Sequence, residues 1–406
     1  MDFLWGLMGI VFVLFLAFLV SARKKSIRPR TILGGLAIQL TFAFIVLQWD
    51  SGRQALEWFT KYVSNIIGYT DEGINFLFGD LLAIESVESV FALQTLPVII
   101  FFSSLIAILY YIGVMQWFIK MIGGFLSYIL GTSKAESMSA AANIFVGQTE
   151  APLVVKPFLS NMTKSELFAV MTGGLASVAG SVLFGYAALG IPLNYLLAAS
   201  FMAAPAGLIM AKMIMPENEV SETTDHIELE KDSESQNIID AAANGASTGL
   251  RLALNVGAML LAFIALIAMV NGIIGGVGAW FGADGLTIER ILGFVFAPVA
   301  FMIGVPWEEA IRAGSFVGQK LVLNEFVAYA NFAPEIEAGD LSDKAITVIT
   351  FSLCGFANIS SLAILLGGIG SLAPERRSEI AQLGVRAVIA GALASMLSAA
   401  IAGMFV

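Results

Sequence analysis

The chain has 406 residues, of which 58% are hydrophobic and only 13% charged. An ordinary soluble domain carries about a quarter charged residues, so the composition is that of a polytopic membrane protein. The net charge of −10 argues against nucleic acid, and the lone Cys354 and lone His226 exclude an intrachain disulfide, a cysteine metal cluster and a histidine relay.

The first apolar stretch, 3–22, lacks a basic leader and an early cleavage motif and reads as a retained transmembrane helix. Arg23-Lys24-Lys25, with Arg28 and Arg30 behind, is the densest basic cluster and should be cytoplasmic, which puts the N-terminus outside. A second span, 31–49, returns to the outer face at Trp49. Residues 53–67 carry Leu56, Phe59, Val63, Ile66 and Ile67 on one helical face and Arg53, Glu57, Lys61 and Ser64 on the other, the pattern of an interfacial helix. A third span, 90–117, ends inside at Trp117 and Lys120, and 121–131 reads as a short interfacial piece.

Residues 133–160 hold Asn143 and Gly147-Gln148-Thr149-Glu150-Ala151-Pro152 between two apolar halves too short to cross a bilayer, which needs ~20 apolar residues. The segment therefore reads as a re-entrant hairpin with its tip at Gly147–Pro152. Spans at 165–190 and 192–214 precede an acidic connector, 216–236, expected to be a flexible cytoplasmic loop. A long helix, 238–272, an apolar piece, 287–305, and a second hairpin, 307–332, carrying Asn324-Glu325, follow. The last spans, 344–370 and 379–404, flank Arg376-Arg377, which should lie inside and leave the C-terminus outside.

Span, interfacial piece, hairpin, span, span thus occurs at 90–214 and again at 238–404 with opposite topology. Inverted repeats with broken helices at the midplane are a secondary-transporter architecture. Phe-Val-Gly-Gln occurs at 145–148 and 316–319, but its offset from the two glutamates differs, and the recurrence is treated as coincidence.

Four groups could carry chemistry. At the first tip, Asn143, Val146, Gln148, Thr149 and Glu150 could hydrogen-bond a polar heterocycle or sugar, or could simply cap broken helices. A carboxylate at membrane depth favours the former. Ser177-Val178-Ala179-Gly180-Ser181 could unwind and offer carbonyls to a hard cation, although periodicity alone favours a small-residue packing face. Asn324-Glu325 could be a site or a buried ion pair with Lys320 or Arg312. Asn358 and Ser361 share a helix face beside Phe356. Two carboxylates and two polar breaks in matching halves are harder to explain as packing.

These residues resemble the concentrative nucleoside transporter family over nearly the whole chain. The likeness rests on Gly147–Pro152, Ser177–Ser181, Asn324-Glu325-Phe326-Val327-Ala328 and Gly355-Phe356-Ala357-Asn358-Ile359-Ser360-Ser361. It implies an all-α polytopic membrane protein of eight transmembrane helices and two opposed re-entrant hairpins in an inverted repeat, assembled as a homotrimer in a bacterial inner membrane. It further implies that Gln148, Thr149, Glu150 and Val182 contact the nucleobase and that Glu325, Asn358 and Ser361 bind ribose, with Phe356 packed on the nucleoside. Sodium would bind at the Asn143 and Ser177 side chains and the Val146 and Val178 carbonyls, as coupling ion and not as a resident cofactor. The motif forms look like sodium-coupled members, with proton coupling the alternative. The expected partition is a frame of 1–117 and 238–275, a moving body of 118–214 and 276–406, and a loop at 215–237. The rival class, an intramembrane hydrolase using Glu150 and Glu325, has no nucleophile motif to support it.

Overall fold

The computed structural model describes residues 2–82, 90–223, 235–282 and 285–406, so His226 and the centre of the acidic connector lie outside the described residues. Among the described residues the regular structure is entirely helical. Helix α1 (Asp2–Val20) precedes the basic turn, and α2 (Pro29–Ala43) starts on a proline whose fixed φ and missing N–H suit a first helical position. A π turn, Phe44–Gln48, extends α2. The amphipathic stretch is α3 (Asp50–Gly68), with Trp58, Phe59 and Tyr62 exposed, and is followed by α4 (Thr70–Leu82).

The third span is α5 (Phe91–Gln94) and α6 (Leu96–Tyr111). It ends six residues earlier than the sequence reading because Gly113 takes φ +86 and turns the chain. Trp117 and Lys120 therefore belong to the next helix, α7 (Val114–Leu130), and are not the end of the span. The segment expected as the first hairpin is α8 (Lys134–Ala142), a turn, and a 3-10 helix, Ala151–Phe158, packed back on α8.

Helices α9 (Lys164–Ala176), α10 (Gly180–Ala188), α11 (Leu193–Ile214) and α12 (Ile238–Trp280) follow. At ~1.5 Å per residue the 43 residues of α12 are about twice as long as a bilayer core requires. Helices α13 (Ile288–Met302) and α14 (Trp307–Val322) meet at 116°, and α14 packs on α15 (Glu325–Ala338), the segment expected as the second hairpin. The expected seventh span is two short helices, α16 (Asp343–Leu353) and α17 (Ile359–Leu372), and α18 (Arg377–Ala402) closes the chain.

Seven helical stretches among the described residues are long and apolar enough to cross a membrane. The apolar windows of α9–α10 and of α11 are each 94% buried, against 22% for α12, which makes the former the centre of the molecule and α12 its flank. Helix α12 lies along α6, where Gly245 and Gly249 let the backbones close up: a Cβ on Gly249 would stand 2.8 Å from the Ile100 Cα. Helix α1 lies on α18 and α2 on α11.

Candidate functional site

Two spans break at the centre, and their breaks meet. Helix α9 ends at Ala176 and α10 begins at Gly180, so Ser177–Ala179 are non-helical. The packing face suggested by periodicity is thus also an unwound segment. Glycine makes this possible, since a Cβ at Gly180 would stand 2.7 Å from the Phe145 carbonyl that the Gly180 N–H reaches at 3.0 Å. Helix α16 ends at Leu353 and α17 begins at Ile359, and the Phe356 N–H crosses to the Ser177 carbonyl at 3.1 Å. Such broken backbone is tolerated at membrane depth only where protein or a cavity satisfies it.

The first tip packs against α9 beside the first break and against α17. The Gln148 side chain lies against Gly174 of α9, where an added Cβ would come within 2.8 Å of it, and Thr149 lies against Gly368 of α17 at the same distance. Asn143 is 1% exposed; its Nδ2 donates to the Ser139 carbonyl at 2.9 Å, and its Oδ1 has no hydrogen-bond partner. Beside it Ser177 donates its Oγ to the Gly173 carbonyl at 3.0 Å, and Val146 and Val178 are buried. An unpaired, buried amide oxygen next to unwound backbone is a donor set that suits a hard cation such as sodium. Glu150 differs: it is exposed, its Oε2 accepts the Gly147 N–H at 2.7 Å, and it lines a cavity of about 280 Å³. The opposite wall includes Ser103 of α6 and Asn244 and Thr248 near the start of α12.

Glu325 opens α15 and is 5% exposed. Its Oε2 accepts Asn358 Nδ2 at 2.9 Å and its Oε1 accepts the Tyr186 hydroxyl at 3.1 Å. The ion-pair explanation is not what the structure holds. Arg312 pairs instead with Glu335 and Asp340, at 3.4 and 3.7 Å, and the Lys320 Nζ donates to the Ser352 carbonyl at 2.7 Å. Asn358 caps α17 by accepting the Ser361 N–H at 2.8 Å, which accounts for the shared face of that pair. Val182 is buried in the first turn of α10, and Phe356 is half-buried beside the second break.

The structure therefore joins Glu325 with Asn358, and the first tip with the α9–α10 break and with α17. Glu150 stands apart on the cavity wall. Sequence reasoning missed Tyr186, whose only signal was a single tyrosine in the largely apolar α10. It also missed the buried pair of Lys212 and Glu136, 2.6 Å apart, signalled by the single cation of α11.

Three family models cover most of the chain. That described as the C-terminus of the Na+ dependent nucleoside transporter matches residues 195–403, the corresponding N-terminus model matches 8–81, and a nucleoside-recognition model matches 92–193. The chain is 59% identical over all of its length to an uncharacterized transporter, YutK, of Bacillus subtilis, covering all of that protein. It is 48% identical to the nucleoside permease NupC of Helicobacter pylori, over 99% of this chain and 98% of that one. A solved structure of CNTnw in an inward-facing substrate-bound state superposes with a TM-score of 0.94 at 55% identity, over 100% of this chain and 98% of that one.

Proposed function

The chain belongs to the sodium-dependent nucleoside transporter family, a family of transporters and not enzymes, and from that premise we propose that it imports uridine-like nucleosides with sodium by alternating access. The observation that carries the reading is the Glu325 carboxylate, buried yet held by two neutral donors, Asn358 and Tyr186. A carboxylate so placed keeps lone pairs for vicinal hydroxyls, and ribose supplies them. Ser361 completes that end, and Phe356 and Val182 supply apolar walls. Gln148, Thr149 and Glu150 read the base.

Sodium is bound by Asn143 and Ser177 side chains with the Val146 and Val178 carbonyls. The unpaired Asn143 Oδ1 supports this assignment. Each ligand stiffens the tip against the α9–α10 break, so each raises the other's affinity by the same factor. A second reading, proton coupling, is favoured by one feature, the isolated Glu150 carboxylate on the cavity wall.

The α8 and α14–α15 segments are re-entrant hairpins, α16–α17 is the seventh span, broken at its centre, α18 is the eighth, and the two halves form an inverted repeat. The frame comprises α1 to α6 and α12, and the remainder moves against it along the contacts of α1 with α18, α2 with α11 and α6 with α10. The protein is a homotrimer in a bacterial inner membrane with both termini outside. Uptake of labelled uridine into vesicles reconstituted with the protein tests the proposal. A sodium gradient should drive accumulation, accumulation driven only by a pH gradient would select the proton reading, and equilibration without either would sink symport.

A further inference from the structure

The hydrogen bonds at the two breaks are not equivalent. In an unbroken helix the Ser352 carbonyl would accept the N–H of Phe356. That N–H goes instead to Ser177, so the Ser352 carbonyl, in a residue 2% exposed, is left needing a donor. Lys320 supplies it: the ammonium of this side chain, 1% exposed, reaches the carbonyl at 2.7 Å. Tyr329 of the same hairpin donates to the Thr350 carbonyl at 2.8 Å.

At the other break the hairpin brings no cation. Asn143 stands four residues before the tip residue Gly147, as Lys320 stands four before Asn324. Asn143, however, presents a buried oxygen with no partner. One break holds an acceptor in want of a cation, and the other holds a cation already on its acceptor. Packing alone does not account for Lys320, because burying an ammonium costs several kcal/mol that a methionine of similar size would not.

We propose that Lys320 is the tethered cation of the second hairpin: its ammonium fixes that hairpin to the α16–α17 break as a sodium ion fixes the first hairpin to the α9–α10 break. Only one of the two hairpins then needs an ion, and these sites take up one sodium per nucleoside. Lys320 acts as a positioning residue, since it holds the element that carries Glu325 and does not touch the substrate. The inference rests on the sodium reading of the first hairpin.

The test uses the full-length protein in vesicles, with Lys320→Ala and Lys320→Met, sodium varied, and methylammonium present at equal concentration on both sides. Wild type should show a hyperbolic sodium dependence indifferent to methylammonium. Lys320→Ala should lose on the order of tenfold or more in uridine uptake, as expected when a hydrogen bond from a charged group is removed. Methylammonium should restore part of it, or a second sodium should fill the space and turn the sodium curve sigmoidal. Lys320→Met, which fills the space without charge, should show the loss and no rescue. Near-normal uptake by Lys320→Met, or a Lys320→Ala protein that stays hyperbolic and ignores methylammonium, overturns the proposal. Should neither variant assemble, the charge moved per uridine by the wild type decides: two sodium ions per uridine would refute it, one would uphold it. Sodium-independent uptake by wild type would sink the first-hairpin reading, yet leave the methylammonium rescue readable.

Discussion

Glu325 carries two neutral hydrogen bonds inside the protein, and the consequence for mutation depends on which partner is removed. Glu325→Ala takes away the acceptor and leaves Asn358 and Tyr186 facing an empty space. The nucleoside hydroxyls would then be buried unpaired, at about 2–3 kcal/mol for a lost bond to a charged group. Uridine uptake should vanish while the purified protein still elutes as an assembled oligomer. Tyr186→Phe keeps the acceptor and removes one neutral donor, so the uridine KM should rise several-fold with the maximal rate largely kept. Asn143→Ala should instead raise the sodium concentration for half-maximal uptake by roughly tenfold or more, with a smaller change in KM at saturating sodium. Glu325, Asn143 and Asn358 stand out in the sequence as polar side chains in apolar segments, which flags them as candidates without fixing their role. Tyr186 does not stand out, since its partner lies 139 residues away and nothing local marks the pairing.

At the scale of elements, the helix starts around the first hairpin are built alike. Ser133 and Thr163 each begin a capping box, with Glu136 and Glu166 returning to the cap N–H at 2.8 Å in both cases. Glu136 has a second task, pairing with Lys212 from the far end of α11 at 2.6 Å, with side chains 2% and 7% exposed. This pair ties the start of α8 to α11. Breaking such a buried pair from one side costs about 3–5 kcal/mol, whereas replacing both members with apolar groups can be neutral. Lys212→Met should therefore lower the thermal unfolding midpoint in detergent clearly, and Lys212→Met with Glu136→Leu should lower it by less than the two single losses summed, recovery staying partial because Glu136 also caps Ser133 and Lys212 also pairs with Glu217. Additive losses in the double variant would show that the two side chains act separately. The spans were legible from apolar length, and their interruptions were read less well. Gly113 ends α6 through its positive φ, a turn that composition around it does not distinguish from continued helix. The α9–α10 break depends on Phe145, a residue from another element, approaching Gly180.

The whole molecule presents its one exposed site carboxylate, Glu150, to a cavity of about 280 Å³ whose far wall lies near the start of α12. On the proposed topology that end of α12 faces the cytoplasm, and the proposed alternating-access cycle then uses the cavity as its inward route. Thr248 sits on that wall, exposed, and belongs to neither proposed ligand site. Cys354, the single native thiol, is 2% exposed and will not compete for reagent, so no background cysteine has to be removed. Thr248→Cys should react with a membrane-impermeant thiol reagent in inside-out vesicles and resist it in right-side-out ones. If the first hairpin and the α9–α10 break move as one body against α6 and α12, the wall closes when that body moves outward. Conditions that hold the protein outward, a sodium-free interior facing high external sodium, should then slow labelling in inside-out vesicles. Equal labelling from both faces would make the cavity a permanent pore and replace alternating access with a channel.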